Sequence, residues 1–306
     1  MVELEVAHEP AESPYAGMSW AQYEQIAGRI MHRFEGQYAL KHYDYVHPVR
    51  LQRHAPERFR KPYPTQIAYT EWGDPARTTL VCTGGVANAA HRFNYLASEL
   101  REDLHVISMD WAGRGLSGWL AAEKDYGLET YVEQVHQLIL HLGGRRVALL
   151  GSSLGGSVAI ALAARHPELI GCLILNDIGP HVPAKRRRRR AETLARHYVF
   201  RSPADMFRKT GASQKNDGPV SDDVRLNGSY NQTKWSDEDG GRIYRHDVRA
   251  LQAYRAQAGK SLVQWRSWER VSCEVLVIHG MDSDALLAPT IERMKKKPGI
   301  TLYVLP

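Results

Sequence analysis

The sequence is most constrained at a short apolar run that ends in a Gly-x-Ser-x-Gly pentapeptide. Residues 147–150 read Val-Ala-Leu-Leu, and the pentapeptide runs from Gly151 to Gly155. The apolar run is typical of a buried strand, and the Ala-rich stretch at 157–166 is typical of a helix. A serine at the apex of such a turn leaves almost no room for side chains two positions away, and both positions are glycine. We predict that Ser153 is a nucleophile, placed where a helix N-terminus stabilises negative charge.

Composition bounds the class of protein. The chain has 306 residues, of which 43% are hydrophobic, as in a globular protein with one large domain. Residues 1–13 contain no apolar run, and no segment has the apolar length of a membrane span. We therefore expect a cytoplasmic protein without a membrane partner. Cys82, Cys172 and Cys273 fall in or beside apolar segments, so we expect buried thiols rather than disulfides or metal ligands.

Positive charge is concentrated in one place. All six residues from Lys185 to Arg190 are basic, which equals the formal net charge of +6 for the whole chain. Such runs usually form the solvated face of a helix, and that is our expectation. The alternative is a recognition patch for an anionic substrate, an acidic protein or a nucleic acid. No nucleic-acid fold or pattern of stacking aromatic residues accompanies the run, so we expect no nucleic-acid partner.

The N-terminal segment, residues 1–64, contains one predicted helix. Ser19 and Gln22 have the spacing of a capping box, and apolar residues recur at helical spacing from Trp20 to Phe34. We expect this helix to pack on the main domain. Residues 37–64 are rich in Tyr, His, Arg and Pro without periodicity, and we expect a surface arm there. Their histidines lack the spacing of a helical metal site, so we predict no metal.

Strands and helices alternate from Gln66 onward. This alternation predicts an α/β fold in which a mostly parallel sheet is covered by helices on both faces. Residues 65–180 and 269–306 would form its core, and the polar insertion at 181–268 would form a helical cap. The predicted strands are 66–72, 79–83, 105–109, 147–150, 172–176, 273–279 and 301–305, and the predicted helices are 93–101, 129–142, 157–166 and 289–296.

Three further stretches belong with the pentapeptide. Cys82 to Val86 is similar to a His-Gly-x loop, with Gly84 in place of the histidine. Residues 110–117, Asp-Trp-Ala-Gly-Arg-Gly-Leu-Ser, match the pattern Asp-x-x-Gly-x-Gly-x-Ser, and residues 275–284 read as a strand followed by an acidic turn. With these motifs the segment 66–306 resembles the α/β-hydrolase fold family. It is most similar to the serine esterase and lactonase branch, which carries a cap after the sixth strand.

The resemblance implies roles for particular residues. The backbone N–H groups of Val86 and Leu154 would form the oxyanion hole beside the nucleophile. Asp284 would be the acid that orients a catalytic histidine, with Asp282 next in line and Asp177 in reserve. The implied reaction is cleavage of a carboxylic ester, thioester or lactone through an acyl-enzyme. The implied partner is a small-molecule apolar acyl substrate, and the implied cofactor is none.

The histidine itself has no counterpart at the expected position. The family places it just after the last strand, and the sequence ends at Pro306. None of three other histidines considered as substitutes follows the last predicted strand: His91, His246 and His279. We therefore expect a truncated sequence whose natural parent continues, and a 306-residue chain that is nearly inactive, because loss of a triad member costs several orders of magnitude in rate.

Other functions on the same fold stay open. A serine in the pentapeptide argues against the dehalogenase and epoxide-hydrolase branches, which resemble this fold but place aspartate there. A carbon–carbon bond hydrolase, an acyltransferase and a non-catalytic binding protein remain as alternatives. The large side chains of the insertion either line an acyl pocket or only pack the cap, and they are Tyr198, Phe200, Met206, Phe207, Tyr230, Trp235, Tyr244, Tyr254, Trp265 and Trp268.

Overall fold

A computed structural model describes residues 15–52, 61–194, 196–214 and 220–305. The helices are α1 (Trp20–His32), α2 (Asn94–Leu100), α3 (Leu128–His141), α4 (Leu154–Arg165), α5 (Ala184–Leu194), α6 (Pro203–Gln214), α7 (Asp222–Gln232), α8 (Val248–Gln257), α9 (Trp265–Arg270) and α10 (Ala288–Met294). The strands are β1 (Tyr38–His47), β2 (Tyr63–Trp72), β3 (Thr79–Thr83), β4 (His105–Met109), β5 (Val147–Ser152), β6 (Ile170–Asn176), β7 (His181–Val182), β8 (Val199–Phe200), β9 (Thr233–Ser236), β10 (Gly241–Tyr244), β11 (Leu262–Val263), β12 (Glu274–Gly280) and β13 (Ile300–Leu305).

The main sheet joins eight described strands in the order β1-β2-β4-β3-β5-β6-β12-β13. Six of these strands run parallel to one another, namely β4, β3, β5, β6, β12 and β13. Strands β1 and β2 add an antiparallel edge. All five residues of β4 are buried, as expected for a parallel strand covered on both faces. The predicted mostly parallel sheet flanked by helices is confirmed. Because parallel strands end at the same edge, the loops after β5, β6 and β12 lie side by side.

Strand β1 corrects our expectation of a surface arm at 37–64. Residues 38–47 pair with β2 along their whole length, from Tyr38 opposite Trp72 to His47 opposite Tyr63. The last part of the strand alternates between exposed and buried, and Tyr43, Tyr45 and His47 point inward. Tyrosine suits a half-buried pleated surface, so the period of two was present in the sequence. The alternation was not recognised because the third inward position is a histidine rather than an apolar residue. Residues 53–60 lie outside the described parts.

Helix α1 forms as its sequence predicts. Ser19 is the N-cap, and the reciprocal bonds of the capping box to Gln22 are both present. Its buried residues, Tyr23, Ala27 and Ile30, lie on one face. That face packs against the insertion rather than only against the sheet, because the Tyr23 hydroxyl lies 2.8 Å from the Ser229 hydroxyl of α7.

The insertion at 181–268, which we call the cap, carries helices α5 to α8 and the start of α9. A three-stranded sheet in the order β8-β10-β9 lies between these helices. Near the two ends of the cap in sequence, β7 and β11 form a short pairing with each other. Among the helices that the structure describes, none has both the length and the apolar character needed to cross a membrane.

Candidate active site

Ser153 occupies the turn between β5 and α4. Its backbone has φ 53° and ψ −113°, a conformation that side-chain-bearing residues rarely adopt, and its side chain is exposed. Strained backbone of this kind persists only where its surroundings enforce it, and it is concentrated at functional sites. Among the described non-glycine residues, only Ser153 and Asp177 have a positive φ.

Glycines make this turn possible by allowing backbone to touch backbone. A Cβ added at Gly151 would lie 2.5 Å from the Gly155 carbonyl oxygen. A Cβ added at Gly155 would lie 2.2 Å from the carbonyl oxygen of Thr83, at the end of β3. A Cβ added at Gly156 would lie 2.1 Å from Ile178. The helix that follows Ser153 is thus pressed against both neighbouring strand ends.

The loop after β3 lies beside the serine. The Gly155 N–H donates to the Gly84 carbonyl at 3.1 Å, and a Cβ at Gly85 would lie 3.5 Å from the Ser153 Cβ. Within the described parts of the chain, neither the Val86 N–H nor the Leu154 N–H donates to a protein acceptor. Unpaired N–H groups at this position are what an oxyanion hole requires. The two predicted donors therefore stay a prediction with suitable geometry around them.

A buried arginine that our sequence analysis treated only as part of a structural motif braces this loop. Arg114 is 1% exposed, and its Nε donates to the Val86 carbonyl at 2.8 Å. Its guanidinium also donates to the Tyr131 hydroxyl at 2.7 Å. The Trp111 indole N–H donates to the Gly84 carbonyl at 3.1 Å. With their carbonyls held from behind, Gly84 and Val86 keep a fixed backbone orientation.

The buried Asp110 side chain holds the loop at 110–117 through hydrogen bonds. Its carboxylate accepts the Ala90 N–H at 2.6 Å and the Leu116 N–H at 2.8 Å. A Cβ at Gly115 would lie 2.2 Å from this carboxylate, so only glycine fits there. Burial raises the pKa of Asp110 to about 6. The side chain is a structural acceptor for two loops.

Asp177, our reserve acid, has the second strained backbone and defined partners. It follows β6 with φ 52°, and its N–H donates to the Ile278 carbonyl of β12 at 2.8 Å. Its carboxylate lies 3.1 Å from Nδ1 of His279 and accepts a hydrogen bond from the Ser283 hydroxyl. The structure thus brings an aspartate, a histidine and a serine together across β6 and β12, a cluster that sequence reasoning did not foresee.

Asp284, our predicted acid, has arginines as partners. Its side chain is 47% exposed and lies 3.6 Å from the Arg186 guanidinium and 3.3 Å from that of Arg189. Asp282 is exposed and has no polar partner within the described residues. All three aspartates lie at the carboxyl end of the sheet, the edge that also presents Ser153.

The described structure brings no histidine into hydrogen-bond contact with the Ser153 hydroxyl. His91 is buried 3.2 Å from Asn94, and burial lowers its pKa. His246 stacks on Tyr244 in the cap, where burial and then Arg114 lower its pKa to about 4. Each of these two imidazole rings contacts groups other than Ser153, and neither residue is at the sequence position expected for the catalytic histidine.

Comparison with known proteins decides the family. A sequence model of the alpha/beta hydrolase fold matches residues 78–304. The chain belongs to the α/β-hydrolase fold family. This α/β-hydrolase is 30% identical over 238 residues to the 3-hydroxybutyrate-oligomer hydrolase of Cupriavidus necator, an alignment that covers 75% of the chain and 81% of that enzyme.

Other relatives of this α/β-hydrolase match over shorter stretches or by fold alone. It is 32% identical over 111 residues to the human serine hydrolase-like protein, covering 36% of the chain and 55% of that protein. The crystal structure of an alpha/beta hydrolase from Novosphingobium aromaticivorans superposes with a TM-score of 0.75 at 24% identity, covering 88% of the chain and 90% of the other. The relatives support a hydrolase of this fold.

Several large side chains of the cap serve packing. Phe200 is fully buried, and Met206 and Trp268 are 1% and 3% exposed. Phe207 stacks on Tyr15 with ring centroids 3.8 Å apart, which places it under the N-terminal segment. Phe200, Met206 and Phe207 belong to one buried cluster with residues of α1, whereas Trp268 packs into the core of the main sheet.

Proposed function

We propose that this chain is a serine hydrolase that cleaves a carboxylic ester, thioester or lactone through an acyl-enzyme on Ser153. The observation that carries the proposal is the exposed Ser153 hydroxyl on a strained turn, near the N–H groups of Val86 and Leu154, which donate to no acceptor among the described residues. The relative from Cupriavidus necator is named as a hydrolase of 3-hydroxybutyrate oligomers, which are esters. That name and the serine together support the proposed ester class.

The proposed chemistry has two halves. The Ser153 Oγ attacks the carbonyl carbon, and the carbonyl oxygen becomes an oxyanion between the Val86 and Leu154 N–H groups. Loss of the alcohol, thiol or opened-ring oxygen leaves an acyl-serine, which water then hydrolyses. Preorganised donors of this kind contribute about 10²- to 10³-fold each in rate. Leu154 opens α4, so the positive end of that helix also faces the oxyanion.

The proton of Ser153 needs a base. We propose that this base is a histidine. Among the described residues no histidine contacts the Ser153 hydroxyl, and His91, His246 and His279 contact other groups. On this proposal the 306-residue chain turns over slowly by itself. Added imidazole should then raise the rate, because it can replace a side chain that is not in place.

The first experiment measures hydrolysis of p-nitrophenyl butyrate with and without imidazole. We expect a low rate that imidazole increases, and we expect Ser153→Ala to remove both the rate and the increase. Subtracting the Ser153→Ala reaction at the same imidazole concentration corrects for hydrolysis by imidazole alone. Equal rates in both proteins would refute Ser153 as the nucleophile and favour a non-catalytic binding protein on the hydrolase fold.

The identity of the acid is tested by a matched pair of variants. We propose Asp284, with Asp177 as the alternative, and both lie after strands at the active-site edge. Asp284→Asn should lower the imidazole-dependent part of the rate more than Asp177→Asn does, because only the true acid can stabilise the imidazolium that forms when imidazole takes the serine proton. The reverse order would assign the acid to Asp177.

A further inference from the structure

The basic run at 185–190 does not form one solvated face. In α5 the side chains of Lys185, Arg188 and Arg189 are exposed, whereas Arg187 is 9% exposed and Arg186 and Arg190 are half-buried. The pattern follows the helical period, which turns positions i, i+1 and i+4 to one side. Half of the positive charge of the run therefore faces the interior.

Arg187 has a structural explanation. Its guanidinium donates to the Lys260 carbonyl at 2.5 Å and lies over the Tyr254 ring, 5.7 Å from the centroid. These contacts attach α5 to α8 and to the loop that follows α8.

Arg186 and Arg190 have fewer polar partners than Arg187. The Nε atom of Arg186 is buried with no hydrogen-bond acceptor in the described structure, and its remaining polar contact is the 3.6 Å ion pair with Asp284. The Arg190 guanidinium has no hydrogen bond or ion pair to any described residue. A buried donor without an acceptor is costly, and the cost is removed when an acceptor binds. Burial also lowers the pKa of Arg186.

Arg186 faces the active-site edge of the sheet, because its guanidinium lies 3.6 Å from the Asp284 carboxylate. Arg190 lies one helical turn further along α5, on the same side of the helix. Asp177 follows β6, which pairs with β5, and Asp284 follows β12, the next strand. With neighbouring strands about 4.8 Å apart, the end of β12 lies about 10 Å from the end of β5. A small ester can span that distance.

We propose that Arg186 and Arg190 form a subsite for a carboxylate carried by the ester substrate. The proposal rests on the proposed hydrolase function and narrows its substrate class to esters with a free acid group a few bonds from the scissile carbonyl. Asp284 does not neutralise the subsite, because it is shared between Arg186 and Arg189. Guanidinium groups suit this role because they bind a carboxylate through two parallel hydrogen bonds.

The test measures binding in the Ser153→Ala protein, so that it does not depend on turnover. Monoethyl adipate and diethyl adipate have the same ester and chain and differ in the free carboxylate. In ligand-observed NMR titrations we expect the monoester to bind at least about ten-fold more tightly, as hydrogen bonds to a charged group would give. Arg186→Gln, and Arg190→Gln as a second variant, should each reduce that preference, and the double variant should abolish it.

Lys185→Gln is the matched control, because it removes one exposed charge from the same helix. It should keep the preference, and thermal unfolding of each variant verifies folding. Equal affinities for the two adipates, or a preference that survives in the double variant, would overturn the subsite. Because the hydrolysis of p-nitrophenyl butyrate is measured separately, a failed subsite is distinguished from a failed hydrolase.

Discussion

The turn that presents Ser153 and the cap above it are held by different kinds of contact. At the turn, backbone touches backbone, since Gly155 lies where a Cβ would be 2.2 Å from the Thr83 carbonyl. In the cap, long side chains do the holding. Arg242 is 3% exposed and donates to Thr233 Oγ1 at 3.0 Å and to Glu24 of α1 at 2.8 Å.

The difference lies in how much each region tolerates change. A backbone contact has no rotamer with which to yield, so one added methyl group displaces a whole element. A guanidinium held among several partners can be removed with partial relaxation around it. Three predictions test this contrast, and they follow in order of expected effect.

The largest effect is expected at Gly155. Gly155→Ala should lower the free energy of unfolding by about 3 kcal/mol or more, because the new Cβ meets a backbone carbonyl of β3. The matched control is Gly228→Ala in α7 of the cap, where nothing lies within 4 Å of an added Cβ. There the change should stabilise by up to about 1 kcal/mol through helix propensity. Urea denaturation of both variants measures this, and equal effects would contradict the contrast.

An intermediate effect is expected at Arg242. Its guanidinium lies over the rings of Trp20, Tyr23 and Tyr230, with 5.2 Å to the Tyr230 centroid. Arg242→Ala should cost roughly 2 to 3 kcal/mol through lost packing and hydrogen bonds. Hydrogen exchange should show faster exchange in α1 and the cap, with β5 and α4 unchanged.

Arg208→Ala is the control for Arg242. Its side chain is 72% exposed and pairs with Asp205 at 2.7 Å, so its removal should cost at most about 0.5 kcal/mol. Similar losses in the two variants would mean that burial of the Arg242 charge adds nothing to the stability of the cap.

The smallest effect is expected at His246 and depends on pH. Its folded pKa is about 4 and its ordinary value is 6.5, so between these values the unfolded chain binds a proton that the folded chain does not. Stability from this residue therefore falls as the pH falls from 6.5 to 4. His246→Asn should gain stability relative to the parent protein over that interval, by about 1 kcal/mol at pH 6.

Asp110 shapes the same pH interval with the opposite sign. Its folded pKa of about 6 lies above the ordinary 3.8, so its contribution to stability falls as the pH rises from 3.8 to 6. The two groups partly cancel in the parent protein, and His246→Asn should expose the slope of Asp110. Thermal unfolding at several pH values measures this, and parallel curves for variant and parent would contradict the shift at His246.

The parts of the fold that could be predicted from sequence are those with a local signal. The capping box at Ser19 and the glycines around Ser153 each prescribe a backbone conformation within a few residues, and both form as expected. The mostly parallel character of the sheet followed from the alternation of strands and helices. Strand β1 was missed because His47, which is fully buried, occupies an inward position where an apolar residue was expected.

The cluster of Asp177, His279 and Ser283 could not be predicted, because it depends on the register between distant strands. Asn176 pairs with Ile278, and this pairing sets Asp177 beside His279, 102 residues away in sequence. The partners of Arg186 and Arg190 in the cap could not be predicted either. The helical period indicates which side chains share a face, but not which residues that face contacts. Side chains with long-range partners were therefore the ones that sequence left open.

The contact between α1 and the cap has a consequence for protein engineering. A graft of the cap onto another scaffold would have its junctions after β6 and before β12. In this chain such a graft would leave Tyr23 without Ser229 and Glu24 without Arg242. Helix α1 must therefore be transplanted together with the cap, although Tyr23 and Ser229 are 206 residues apart in sequence.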